Sequence, residues 1–166
     1  MVTTASESEN GLLPDNIEQE LQEFDKLIKW KRVAGMSNAE IPEPQPGIDE
    51  VFDSANEFVV QIKGELDDYL KSVQANFKDK RICFSHAKNR YEIEIPEHHV
   101  KGNKKPREFE LVSTRQGFER FYTPVLRRLV EKLEVAEDKL KDALSPFLTA
   151  IFINFHQKKT IWLQIL

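Results

Sequence analysis

The sequence holds a single cysteine, Cys83, and only 6 glycines in 166 residues. One thiol excludes an internal disulfide and fits a reducing compartment. So little glycine leaves scant material for phosphate-cradling loops. No G-x-x-x-x-G-K-[ST] occurs: Gly102-Asn103-Lys104-Lys105 lacks both the first glycine and the hydroxyl residue. The nucleophile elbow G-x-S-x-G is missing too. Apolar runs fall well short of the roughly 20 residues that cross a bilayer, so no membrane partner is expected. The opening MVTTASESENG has neither an apolar centre nor an early basic cluster, which argues against a secretory signal and for a location inside the cell.

Side chains that carry chemistry are equally sparse. His98 and His99 adjoin, with Glu97 before them, but zinc sites use three or four ligands and the cysteine lies fifteen residues upstream. No metal site is expected. His86 and His156 stand alone. Cys83 reads as a buried strand residue packing as a small hydrophobe, not as a nucleophile. Carboxylates are plentiful, at spacings that suit solvated helix faces. No catalytic residue and no bound cofactor are expected.

What the chain does have is period. Hydrophobic residues are 40% and charged residues 31%, enough for a fold that is polar for a globule. Residues 1–13 are small, polar and acidic, which predicts disorder. Ile17, Leu21, Phe24 and Ile28 make one helical face and predict a first helix from Pro14 to about Val33. The stretch IPEPQPG, with Pro42, Pro44 and Pro46, cannot be helical and should run extended. From Ile48 to Phe77, nine apolar residues recur every three or four positions, a rod of roughly 45 Å at 1.5 Å per residue. The period then falls to two in RICFSH, RYEIEI and REFEL, which predicts three half-buried strands joined by Ala87-Lys88-Asn89 and by PEHHVKGNKKP. Helical spacing returns near Gln116 and continues through Phe118, Tyr122, Val125, Leu129, Leu133 and beyond. Thr123-Pro124 has the look of an N-cap followed by proline at the first helical position. Ser145-Pro146 repeats it and predicts a kink or restart. The expected fold class is α+β, mainly α: two long antiparallel helices carrying a small three-stranded antiparallel sheet between them. The expected segments are 1–13, 14–80, 81–115 and 116–166.

Charge singles out the insert. Net charge is −4, from 24 Lys/Arg against 28 Asp/Glu. Between Lys78 and Arg107 stand nine Lys/Arg and four acids, a local +5 on a body of −9. Lys88 and Arg90 flank the first turn; Lys101, Lys104, Lys105 and Arg107 cluster in the second connection. Loop lysines with no helix to enter a groove suit phosphate contacts rather than base reading. Charge alone also leaves open, and favours, a solvated surface or edge strands guarded by lysine.

Three stretches carry a likeness: NRYEIEIP (89–96), FELVST (109–114) and GFERFYTPVLRRLVEKLEVAEDKL (117–140). They resemble the clamp and returning lever helix of the MutS mismatch-repair family, nearest to its eukaryotic mismatch-reading branch. LLPDNIEQELQEFD and PQPGIDEVFDSA resemble the segment that climbs the lever. The resemblance covers about Leu12 to Trp162. It implies that the two helices are levers in a coiled-coil-like pair. It implies too that the sheet is a clamp gripping the backbone of double-stranded DNA without reading sequence, in the nucleus. Full-length members pair with a second MutS-family subunit and use ATP and magnesium. This sequence carries neither their mismatch wedge nor their P-loop, so it is expected to bind rather than catalyse. Its ending at LQIL leads to the expectation of a truncated gene model, a splice product or a fragment. The alternative is a helical hairpin that serves interaction alone.

Overall fold

Nine apolar positions in helical register, followed by Lys78 in the left-handed region, produce one long helix. In the computed structural model, which describes residues 17–32, 39–87, 89–102 and 105–159, it is α2, Glu50–Phe77. Asp49 starts it, its Oδ1 accepting from the Phe52 N–H at 2.9 Å. Lys78 at φ 54 ends it, with the Asp79 N–H returning to the Gln74 carbonyl at 3.1 Å. The second long helix, α3, runs Pro124–Gln157. Thr123 caps it as its sequence suggests: Thr123 Oγ1 accepts from the Leu126 N–H at 3.2 Å. Of the kink or restart expected at Pro146, the restart does not occur, since the helix is continuous through that proline. The expected N-terminal disorder of 1–13 lies outside the described residues.

The chain divides into two compact units, one of Ala55–Lys139 and one of the chain up to Ser54 and from Leu140 onward. In the first, α2 and α3 pair antiparallel: Tyr69 meets Thr123 (Oη to Oγ1, 2.6 Å), and Glu65 meets Lys132 at 3.8 Å. Ile62 and Leu66 of α2, with Leu126, Leu133 and Ala136 of α3, are almost wholly buried. Ile62, Leu66, Leu133 and Ala136 belong to the stripes read from the sequence, but α3 buries Leu126 and Val130 where Val125 and Leu129 were expected, and Val125 is exposed.

The expected three-stranded sheet has four strands. They are β3 (Cys83–Ser85), β4 (Glu92–Pro96), β5 (Glu110–Arg115) and β6 (Phe118–Tyr122), in the order β3-β4-β6-β5, all antiparallel. Strand β6 occupies residues that helical spacing had assigned to the returning helix. Gly117 at φ 81 closes the β5–β6 turn, a conformation that favours glycine. A bulge between Leu111 and Ser113 shifts the β5 register and leaves Leu111 half exposed. Phe109 precedes the strand and is buried, edge-on to Phe77 and Phe121.

In the other unit, the first helix is shorter than expected. It is α1, Ile17–Leu27, and Ile28–Arg32 leaves it as strand β1, paired antiparallel with β2, Glu40–Pro44. The IPEP stretch is extended, as its prolines require, but as a strand. A two-stranded ribbon tolerates proline because each strand is an edge. Lys31–Glu43 at 2.7 Å links the pair, and Gln45 Nε2 donates to the Ile28 carbonyl at 3.1 Å. Phe24 and Phe155 approach with ring centroids 6.0 Å apart. Phe152 is 68% exposed and Ile153 54%.

Leu66→Ala should destabilise the Ala55–Lys139 unit by about 2–5 kcal/mol. Gly64→Ala, where an added Cβ meets nothing within 4 Å, should stabilise it by up to about 1 kcal/mol. Urea unfolding followed by circular dichroism reads both.

Candidate nucleic-acid interface

The two turns that carry the expected basic residues leave β4 at opposite ends. The β3–β4 turn precedes Glu92, and the β4–β5 connection follows Pro96.

At the first turn, Arg90 is held. Its guanidinium makes a two-point pair with Glu137 of α3, at 2.7 and 3.0 Å. The Tyr122 hydroxyl donates to the Arg90 carbonyl. Tyr91 takes a left-handed backbone at φ 59, its N–H reaching His86 Nδ1 at 3.3 Å. Several contacts thus fix this turn against α3 and β6. The Arg90 guanidinium holds the Glu137 carboxyl below its usual range. Lys88 lies outside the described residues.

The second connection is built differently. Glu97–His99 forms a 3-10 turn, tied to the β5–β6 turn by the Glu97 N–H to the Gly117 carbonyl at 3.0 Å. Lys101 pairs with Glu97 one turn back. Lys105 is exposed, its Nζ 6.0 Å from the Phe121 ring centroid. Arg107 is exposed with no ion pair among the described residues. Lys104 lies outside them. Arg115, which the charge count over 78–107 omitted, stands over Phe118 at 5.2 Å and 3.8 Å from Glu94. The Gln116-Gly117 pair, a turn signal just before Phe118, was the sequence signal for it.

Beneath these loops the sheet has two distinct faces. Phe84, Ile93 and Phe121 align across β3, β4 and β6 on the apolar one. Cys83, Glu94 and Arg120 align on the other. Glu92 and Glu94 were expected in solvent, yet both are buried. Glu94 is paired with Arg120 at 2.9 Å, and Glu92 Oε1 accepts from the Asn89 side chain at 2.8 Å. Cys83, expected buried, is exposed on this polar face of the edge strand. Partial burial, with Glu94 nearby, pushes its thiol up, away from nucleophilic use.

One cluster the sequence did not reveal joins the end of α2 to the 3-10 turn. Asp79 Oδ1 accepts from the Arg81 N–H and Nε at 2.9 and 3.0 Å, and Asp79 Oδ2 lies 2.6 Å from Arg81 Nη2 and 2.8 Å from His99 Nε2. The Arg81 guanidinium and backbone N–H, with His99, hold the Asp79 carboxyl far below the usual carboxylate range.

Residues 47–139 match the family model of MutS family domain IV. The chain belongs to the MutS family. The matched stretch includes the whole Ala55–Lys139 unit. Among MutS relatives, the chain is 27% identical to the DNA mismatch repair protein Msh6 of Gallus gallus, over 98% of this chain and 12% of that protein. It is 26% identical to that of Arabidopsis thaliana, over 90% and 11%, and 24% to that of Homo sapiens, over 98% and 12%. It thus spans about an eighth of their length.

Arg90→Ala should lower stability at pH 7 by about 0.2–1 kcal/mol, as for partly exposed ion pairs. Glu137 has a folded pKa below its unfolded one, so the contribution is complete above the unfolded value near 4.3 and fades as pH falls through the folded value. Wild-type and Glu137→Gln stability curves should converge at acid pH; a constant gap down to pH ~2 contradicts the pairing.

Proposed function

We propose that this chain is a binding segment of a mismatch-repair protein, and that its β4–β5 connection contacts the phosphate backbone of double-stranded DNA without reading sequence. The observation that carries the reading is the coincidence of the domain IV match with a basic connection on the matched unit. Lys101, Lys104, Lys105 and Arg107 are the proposed contacts. Lysine and arginine on a loop make phosphate contacts that position a protein without specifying bases. Arg115 stands beside the same end of β4 and joins them in this proposal. Arg90, committed to Glu137, is assigned the task of holding the first turn; Lys88 is a further proposed contact.

On this reading the segment works by binding, in the nucleus, alongside a second MutS-family subunit. ATP and magnesium belong to other parts of the full-length protein. The two long helices act as levers that carry the sheet.

Fluorescence anisotropy with a labelled duplex, across a salt series, tests the proposal. Neutralising about four phosphates gives a slope of log K against log[salt] near −3.6, from about −0.9 per contact. Binding should be weak and indifferent to a mismatch. Charge reversal at Lys101, Lys104, Lys105 and Arg107 should flatten the slope toward zero. Unchanged affinity and slope in that variant would sink the assignment.

A further inference from the structure

Asp79, His98 and His99 bring three metal-ligating atoms to within 4.8 Å of one another. The three come from two separate segments, each fixed by backbone bonds. Lys78 and Asp79 close α2, with N–H groups returning to the Ala75 and Gln74 carbonyls at 3.2 and 3.1 Å. His98 and His99 sit on the 3-10 turn, whose Glu97 carbonyl accepts from Val100 and Lys101 at 3.1 and 2.8 Å. The His99 ring also packs edge-on against Phe77, centroids 5.6 Å apart.

Asp79 Oδ1 receives the Arg81 backbone N–H, and both oxygens receive the Arg81 Nε, at 3.0 and 3.1 Å; Oδ2 also faces both imidazoles, His99 Nε2 at 2.8 Å and His98 Nε2 at 4.0 Å. Arg81 Nη2 lies 2.6 Å from that same Oδ2 and 3.4 Å from His98 Nε2. The guanidinium end therefore stands where a cation shared by Asp79 and His98 would stand.

We propose that Asp79, His98 and His99 form a binding site for a zinc-type divalent cation, and that Arg81 is its built-in competitor. Two imidazole nitrogens and one carboxylate suit zinc and reject magnesium and calcium, which take oxygen ligands. Zinc donors lie about 2.0–2.2 Å from the ion and so about 3.4 Å from one another in a tetrahedral site; His98 Nε2 closes on Asp79 Oδ2 from 4.0 Å, and His99 Nε2 opens from 2.8 Å. The His98 side chain, 58% exposed, has room to move. The Arg81 side chain, 64% exposed, can swing its Nη2 out while its backbone N–H stays on Oδ1. His99 Nε2 now donates to Oδ2; on binding, its proton passes through solvent to Nδ1, leaving Nε2 bare for the ion. With three protein ligands, the fourth position goes to water. The ion would tie the end of α2 to the connection that carries Lys101, Lys105 and Arg107. The site's chemistry does not depend on DNA binding.

Isothermal titration of the full, tag-free chain with Zn2+, checked by competition against a chromophoric chelator, tests this. One equivalent should bind at roughly 1–100 µM, weaker than closed four-ligand sites, and Mg2+ should not compete. His98→Ala, at an exposed position, should weaken binding, and His98→Ala/His99→Ala should abolish it, with helical circular dichroism retained. Arg81→Gln should tighten binding at least about fivefold, because it removes a unit charge near the ion. Zinc binding that survives the double histidine variant, or that Arg81→Gln leaves unchanged, overturns the proposal. So does the absence of any saturable binding below ~1 mM.

Discussion

Strand β4 is buried along all five residues, yet its alternate side chains are carboxylates. Buried charge is costly unless paired, and that requirement organises the sheet. Glu94 needs a cation beside it in register, and Arg120 on β6 supplies one. Glu92 draws two donors from Asn89, backbone and side chain, both on Oε1, while its Oε2 is buried with no hydrogen-bond partner among the described residues. Without β6 next to β4, Glu94 would be buried without the Arg120 guanidinium. The same adjacency brings Phe121 beside Ile93 and closes the apolar face. It also delivers the chain to Thr123, where α3 begins.

Long-period features were legible in the sequence, and short ones that mimic them were not. The two long helices follow from stripes repeated over many turns. The start of α3 follows from Thr123-Pro124, because capping chemistry is local. The strands β1 and β6 were misread for one reason: Ile28 continues the face of α1, and Phe118 and Tyr122 stand four apart like a helix face. The competing signals were weaker, namely Gly117 at a turn and Arg120 flanked by Glu119 and Phe121. Tertiary pairing decided between them. Strand β4, expected half-buried, is buried along its whole length for a related reason, since alternation predicts an exposed face only when nothing covers it.

Site residues were legible as charges but not as partners. A count along the chain ranks Arg90 with Lys105, yet the fold gives Arg90 a carboxylate and leaves Lys105 exposed. Glu137 lies 47 residues away, beyond any local rule. The Asp79–His98–His99 cluster was hidden the same way. His98 and His99 are adjacent, but two ligands make no site, and the third sits 20 residues upstream of His99. Only the left-handed turn at Lys78 carries Asp79 to the end of β4.

The two ends of β4 thus have opposite electrostatic characters, and this bears on how a grip on DNA would work. At its start, cation and carboxylate cancel, and the contact is structural. Beyond its end, Lys105 and Arg107 have no such partner among the described residues, and Lys101 has one that is exposed to competition. Phosphate can displace an exposed pair because its charge is at least as strong and the pair itself is worth little in water. A two-point pair between turn and helix is harder to displace, since losing it also loosens the turn. A polyanion would therefore be drawn to the connection after β4, while the turn before it holds the sheet to α3.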